Sequence, residues 1–190
     1  MIATSRFPLL GEPLVVDLVN TRVRRNGVAA DLLDKPAALT AWLRAEHARL
    51  AWTGTADAAD LEAVRTLRDA IGHLLRAKRE HTQPPSAALG KVNRALANPA
   101  ARSRLTWNAA GPRSTPPTRR SRRGALLRAL AADAVALLTD PQADHLRKCA
   151  HPDCILQFVA RNPRRRWCSD ALCGNRARVA RHYLRRHAAR

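Results

Sequence analysis

The stretches C-A-H-P-D-C at residues 149–154 and C-S-D-A-L-C at residues 168–173 contain all four cysteines of the chain. Each pair has the spacing C-x4-C, and 13 residues separate the two pairs. Two short-spaced pairs joined by a spacer of this length can form two knuckles that bring four sulfurs to one ion. Four thiolates complete the coordination shell of Zn²⁺ and leave no open position. The spacing therefore predicts one structural zinc held by Cys149, Cys154, Cys168 and Cys173.

Two disulfides are the alternative use of four cysteines. Residues 1–20 show no secretory signal, because Glu12 and Asp17 interrupt the apolar run and no small-residue cleavage site follows. No stretch approaches the ~20 apolar residues of a membrane helix. These observations predict a cytoplasmic chain without a membrane partner, and thiols stay reduced in that compartment, which favours zinc. His151 is an alternative ligand, but a solvated loop histidine is the favoured interpretation.

The charge of the chain indicates a polyanionic partner. The 190 residues carry a net charge of +19, and 46% of them are hydrophobic, enough to form a core. Residues 149–190 contain ten arginines and two aspartates, a net +8 in 42 residues, whereas residues 1–118 carry a net +7. The segment that contains the cysteines is therefore the electropositive end of the chain.

Hydrophobic periodicity predicts a mainly α fold with small β elements. Apolar residues at helical spacing indicate helices that begin after an N-cap at Asp34, span about residues 57–80, begin after an N-cap at Ser86, and span residues 124–139. Weak alternation at residues 102–107 predicts a short strand. The Pro-, Ser- and Thr-rich residues 111–118 predict a loop that leads into a mobile, solvated cluster: Arg119, Arg120, Arg122 and Arg123. We expect a helical domain over residues 1–142, for sensing or dimerisation, and a metal module over residues 143–190.

The segment L-V-V-D-L-V-N-T at residues 14–21 places three polar residues in an apolar run: Asp17, Asn20 and Thr21. Such groups are candidates for lining a small-molecule pocket. The favoured alternative is that they make local turn and capping hydrogen bonds.

The last helix of the metal module is predicted to begin after Ser169 and Asp170 and to run to about residue 187. Cys173 then lies in its first turn. A knuckle, a short β element near residues 155–159 and a helix that supplies the last ligand predict a treble-clef-like zinc finger.

A turn of about 100° per residue divides this last helix into two faces. The predicted packing face consists of Leu172, Val179, Ala180 and Tyr183. The polar face and the preceding loop supply the candidate DNA contacts, which are Arg161, Arg164, Arg165, Arg166, Asn175, Arg178, Arg181, His182, Arg185 and Arg186. A merely solvated face is the alternative, but few acidic residues are present to pair with these arginines.

Two residues of the module are predicted to stabilise it. Arg176 falls among the apolar residues of the helix, so we expect a buried guanidinium that bridges knuckle carbonyls or Asp153. Trp167 precedes a ligand cysteine, and packing over the knuckle is favoured over stacking on a base.

Residues 167–183, W-C-S-D-A-L-C-G-N-R-A-R-V-A-R-H-Y, resemble the CGNR zinc-finger family, whose signature is the tetrapeptide at residues 173–176. The upstream C-A-H-P-D-C matches the first ligand pair of that family. Residues 14–21 and 31–43 resemble the ABATE domain that usually precedes this finger. The resemblance implies four zinc-binding cysteines in a bacterial, stress-induced transcription regulator that binds DNA.

These observations predict a cytoplasmic DNA-binding regulator rather than an enzyme, because a four-thiolate zinc has no free position and no catalytic arrangement is recognisable. An RNA- or ribosome-associated factor is the alternative, since zinc modules with arginine loops also bind RNA. A homodimer is compatible with a DNA-binding regulator, and the sequence indicates no particular small-molecule effector.

Overall fold

Helices dominate the computed structural model, which describes residues 6–25, 27–98, 104–108, 111–115 and 119–188. The α-helices are α1 (Leu14–Val19), α2 (Pro36–Ala45), α3 (Ala58–Glu80), α4 (Ser86–Leu96), α5 (Arg119–Thr139) and α6 (Asn175–Ala188). The strands are β1 (Arg22–Arg25), β2 (Val28–Asp31), β3 (Arg104–Asn108), β4 (Gly111–Thr115), β5 (Leu146–Lys148) and β6 (Gln157–Val159). The predicted mainly α class with small β elements and a C-terminal zinc finger is confirmed.

The described strands form antiparallel pairs: β1 with β2, β3 with β4, and β5 with β6. In the last pair Leu146 lies opposite Val159 and Lys148 lies opposite Gln157. This pairing places Cys149 directly after one strand and Cys154 shortly before the other. The first ligand pair is therefore held in the loop that connects the two strands of this hairpin.

Helix α3 is the central element of the fold. Asp57 caps its N-terminus in a capping box with Asp60, so the predicted start near residue 57 is confirmed. Its apolar stripe includes Val64, Ile71 and Leu75, which are fully buried. The helix packs against α1, α2, α4, α5 and β5, so one core extends from the N-terminal helices to the metal module.

The segment around residue 115 differs from the expectation of a loop followed by a solvated arginine cluster. Residues 111–115 form β4 and pair with β3, because a proline such as Pro112 is tolerated at the edge of a two-stranded sheet. Helix α5 begins at Arg119 rather than near residue 124. Arg123 lies 3.5 Å from the buried carboxylate of Asp60, so this arginine is anchored instead of mobile. The predicted strand at residues 102–107 begins outside the described residues.

The helices of the described part of the chain are too short or too polar to cross a membrane.

Candidate metal centre and nucleic-acid interface

The four cysteines converge at one point between β5, β6 and the base of α6. Their Sγ atoms all lie within 4.8 Å of one another, and all four residues are buried. The Sγ atoms of Cys154 and Cys168 are 3.9 Å apart, too far for a disulfide, and all four thiols are free. Tetrahedral coordination with Zn–S bonds of about 2.3 Å requires S···S edges of about 3.8 Å. The four sulfurs are positioned to bind one zinc ion.

The pKa values of the four thiols explain why the cluster needs a bound cation. A hydrogen bond from the Cys168 thiol lowers the pKa of Cys154 to about 5, so this sulfur ionises first. Burial and the negative charge of Cys154 then raise the pKa of Cys173 to about 12. The hydrogen bond that Cys168 donates to Cys154 raises its own pKa as well. Four thiolates therefore need a bound cation, which in such a site displaces the remaining protons.

Backbone hydrogen bonds fix the two knuckles. The Cys149 N–H donates to the Leu156 carbonyl at 2.9 Å, and the Cys154 N–H donates to the His151 carbonyl at 3.0 Å. The Cys168 N–H donates to the Cys149 Sγ at 3.4 Å, which links the two pairs. His151 itself accepts from the Asp153 N–H through Nδ1 and lies outside the four-sulfur group. His151 is therefore part of the knuckle and is not a candidate ligand.

Gly174, the second residue of the C-G-N-R tetrapeptide, lies where a Cβ atom would crowd its neighbours. A Cβ at this position would lie 3.0 Å from the Asp170 Oδ1 and 3.4 Å from the Trp167 Cδ1. The Gly174 N–H donates to the Ser169 carbonyl at 3.0 Å and closes the π-helical turn (Asp170–Gly174) that carries Cys173. Trp167 packs against the core at this point, in keeping with its predicted packing role.

Arg165 is the arginine that braces the metal module. Its guanidinium donates to the carbonyls of Trp167 (3.2 Å) and Cys168 (2.7 Å) and to the Glu12 carboxylate at 2.8 Å. The guanidinium carbon also lies 4.3 Å from the ring centroid of Phe158, within cation–π range. These contacts occupy most of its donors, so the expectation that Arg165 contacts DNA does not fit its surroundings.

Arg176 does not have the buried position that was predicted for it. Its side chain is exposed, as is that of Asp153, so there is no buried guanidinium for the knuckle to satisfy. The prediction was wrong because it assumed a packed partner along the apolar side of α6. The bracing chemistry that we assigned to Arg176 is performed by Arg165.

The apolar side of α6, like Arg176, is exposed to solvent. Val179 and Tyr183 are 61% and 62% exposed, and Leu172 is 47% exposed, so the predicted packing face is wrong. The main contacts of α6 are with the π-helical turn at its base, and the helix extends away from the module. A stripe that would be buried in a packed helix is therefore open to solvent.

Nine of the ten candidate DNA contacts are exposed in the structure: Arg161, Arg164, Arg166, Asn175, Arg178, Arg181, His182, Arg185 and Arg186. Arg178 donates to the Asp170 carbonyl at 3.3 Å, while Arg181 and Arg185 donate to carbonyls one turn earlier in the helix. These are long bonds to single acceptors, so most donors of each guanidinium stay available. Their role in binding DNA stays a prediction.

The polar residues at the C-terminal half of α1 and just after it were candidates for lining a small-molecule pocket. Asp17, Asn20 and Thr21 are almost fully buried, and each is hydrogen-bonded. Thr21 donates to the Leu18 carbonyl, as the capping interpretation predicts. Asn20 instead binds the backbone of Gln157. These contacts do not support the pocket hypothesis for the three residues, because their polar groups are occupied within the protein.

Polar contacts between the N-terminal segment and β6 were not foreseen. The Glu12 carboxylate accepts from the Val159 N–H at 2.9 Å and from Arg165, so it links the segment before α1 to both the strand and the loop of the module. A lone glutamate within an apolar run was the available signal, since a buried carboxylate needs partners. Its partners lie about 150 residues away in the chain, so the sequence alone could not name them.

Fold and site together define a helical protein with a C-terminal four-cysteine zinc finger. The sequence matches the ABATE family, described as "Putative stress-induced transcription regulator", over residues 12–141, and the CGNR zinc finger over residues 145–186. The first match covers more than half of the chain, which therefore belongs to the ABATE family and carries a CGNR zinc finger. Comparison with curated proteins gives no match.

Proposed function

We propose that the chain is a cytoplasmic, stress-responsive transcription regulator that binds DNA through α6 and the loop at residues 161–166. Zinc has a structural role, because four thiolates leave no position for a substrate or a water nucleophile. The family matches are to a transcription regulator and a zinc finger, which agrees with a protein that is not an enzyme.

The observation that supports this proposal best is the exposed, unneutralised charge of α6. The helix carries five arginines, and residues 171–188 contain no Asp or Glu. All five are exposed, and among the described residues none forms an ion pair with a carboxylate. An exposed cationic helix held on a rigid zinc knuckle is suited to contact with a phosphate backbone.

Affinity and base selection would come from different parts of this surface. Arg161, Arg164 and Arg166 lie on a loop and would contact phosphates, which positions the module without sequence choice. Asn175, Arg178 and Arg181 lie near the base of α6 and would reach base edges if the helix enters a major groove, where Arg pairs with guanine and Asn with adenine.

The experiment is a salt titration of affinity for a short duplex DNA by the zinc-loaded protein. The logarithm of the binding constant falls by about 0.9 per released counterion for each unit of log salt. Replacement of Arg178, Arg181 and Arg185 by Ala should therefore flatten the slope by about 2 to 3. The matched control replaces three exposed arginines outside the metal module, Arg44, Arg94 and Arg128, by Ala.

The control triple variant has the same net charge as the α6 variant, so it separates position from total charge. We expect its slope to change by less than about 1. Equal slopes for the two variants would show that DNA does not contact α6. Stronger binding of a structured RNA than of the duplex at the same salt would favour the alternative, an RNA- or ribosome-associated factor.

A further inference from the structure

A cleft of about 630 Å³ lies between the helical domain and the metal module. Residues from α1 and β1, from α3, and from the β5–β6 hairpin form its walls. Lys148 directly precedes the ligand Cys149, and Ile155 directly follows the ligand Cys154. A ligand in the cleft would therefore contact both the helical domain and the zinc knuckle.

The lining of the cleft is strongly cationic. It contains six basic side chains, Arg22, Arg24, Arg68, Arg76, Arg79 and Lys148, and two acidic ones, Asp69 and Glu80. An excess of positive charge in a concave space produces a strong positive electrostatic potential there. An anionic ligand is the chemical class that this lining favours.

Some of these cations have structural partners. Arg68 is buried and binds both carboxylate oxygens of Asp31 at 2.7 Å, and it donates to Thr21. Burial raises the pKa of Asp31, but the hydrogen bonds and charge of Arg68 outweigh this and hold it below its usual range. Arg79 donates to the Gln157 side chain at 2.9 Å and also binds Glu80. These pairs form the fixed floor of the cleft.

Three other cations on the lining are not neutralised within the protein. Arg24 in β1, Arg76 in α3 and Lys148 in β5 are exposed, and none forms a side-chain hydrogen bond or ion pair with another described residue. They come from three separate elements and share one cavity. His73 lies on the same lining. Guanidinium groups bind phosphoryl oxygens in bidentate fashion, and an ammonium adds a point charge.

The cleft also offers a small apolar surface. Val19 and Ile155 line it, and Gly72 leaves the α3 wall open where a Cβ would lie 3.8 Å from the Val19 Cγ1. The volume lies within the usual range for small-molecule sites, about 300 to 1,000 Å³. A ligand with a compact organic part and a charged phosphoryl part fits both features.

We propose that this cleft binds a phosphorylated small molecule that carries at least two negative charges and has the size of a mononucleotide. The phosphoryl groups contact Arg24, Arg76 and Lys148, and the organic part lies toward Val19 and Ile155. The bound molecule joins α3 to the first zinc knuckle and so stabilises the contact between the domain and the metal module. The proposal does not require that the chain binds DNA.

The test is calorimetric titration of the zinc-loaded chain with ADP, with adenosine and inorganic phosphate as separate probes. We expect one ADP site per chain, weaker binding of phosphate and no binding of adenosine. Arg76→Gln and Lys148→Gln should each weaken ADP binding about tenfold, because each removes a charge-assisted contact. Arg128→Gln, which removes an exposed charge of α5 outside the cleft, should leave the affinity unchanged.

The variants must first retain the zinc content and melting temperature of the wild type, which exposed positions should allow. The absence of saturable binding of both ADP and phosphate at millimolar concentration would overturn the proposal. Equal ADP affinity in the Arg76, Lys148 and Arg128 variants would also overturn it, because binding would then reflect total charge. Loss of duplex DNA affinity in Arg76→Gln without ADP binding would assign the cleft to a nucleic-acid surface instead.

Discussion

The side-chain amide of Asn20 binds both backbone groups of Gln157, a residue 137 positions later in the chain. The Asn20 Nδ2 donates to the Gln157 carbonyl at 2.9 Å, and the Gln157 N–H donates to the Asn20 Oδ1 at 2.8 Å. Both residues are buried. This pair attaches β6 of the metal module to the end of α1, so the module is held at a defined position on the helical domain.

Replacement of Asn20 by Ala should lower the free energy of unfolding by about 2 to 4 kcal/mol, because it leaves a buried N–H and a buried carbonyl unsatisfied. The measurement is urea unfolding of the zinc-loaded protein. Asn93→Ala, at an exposed position of α4, is the matched control and should change the stability by less than about 0.5 kcal/mol. Similar losses for the two variants would contradict the role of Asn20.

Arg164 and Arg165 are adjacent in the sequence, yet we expect their variants to behave differently. Arg165→Ala should destabilise the protein by about 2 to 3 kcal/mol, because the Trp167 and Cys168 carbonyls and the buried Glu12 carboxylate lose their donor. Arg164→Ala, at an exposed position, should leave stability unchanged and flatten the salt dependence of duplex binding by about 1. Thermal melting and the salt titration measure the two effects, and the reverse pattern would show that the assignments are exchanged.

Gly174→Ala should weaken the metal module although alanine favours helices. The new Cβ would lie 3.0 Å from the Asp170 Oδ1 and 3.4 Å from the Trp167 Cδ1, next to the ligand Cys173. We expect a loss of about 1 to 3 kcal/mol and faster release of zinc to a chelator. Gly90→Ala is the control, because its Cβ meets only the far end of the Arg94 side chain at 3.3 Å. Equal rates of zinc release to the chelator for both variants would show that Gly174 is not needed to hold the metal module.

The buried carboxyl group of Asp17 predicts a pH dependence of stability. Burial raises its pKa to about 6, although the hydrogen bond from Arg49 partly opposes this. The folded state thus binds the proton more tightly than the unfolded chain, whose aspartate pKa is about 3.9. The stability that Asp17 contributes is therefore fully present below about pH 4 and decreases as the pH rises through 6, by about 2 to 3 kcal/mol.

Denaturant unfolding of the wild type and of Asp17→Asn at several pH values measures this dependence. The difference in unfolding free energy, wild type minus variant, should fall between pH 4 and pH 7, because the amide does not titrate. Zinc release at low pH affects both proteins alike and cancels in the difference. A difference that is constant or rises with pH would show that Asp17 has a normal or lowered pKa in the folded protein.

The sequence was sufficient for features that depend on neighbouring residues. The spacing of the cysteines identified the metal ligands, because each knuckle is formed within six residues. The apolar period of α3 located that helix, since the period is set within a few turns of one segment. The last ligand, Cys173, lies close to the predicted place but in the π-helical turn Asp170–Gly174 before α6 rather than in the first turn of the α-helix, and Ser169 makes no side-chain cap there.

Features that depend on distant contacts could not be predicted. The helical wheel of α6 gave the correct faces but not their environment, since the wheel assumes that an apolar face has a partner. The sequence therefore assigned the bracing role to Arg176, whereas Arg165 has it in the structure. The partners of Glu12 and Asn20 are set by how β6 packs on α1, and the cleft combines three cations from β1, α3 and β5. No local pattern contains that information.

The position of α6 depends most on the way in which the four sulfurs are held together. Native mass spectrometry of the purified, reduced protein reports this state directly, because zinc adds mass and disulfides remove hydrogens. We predict one zinc ion per chain, and loss of that ion in Cys168→Ser. A folded, metal-free chain, with either four free thiols or two disulfides, would contradict the claim that a bound zinc ion holds α6 in position.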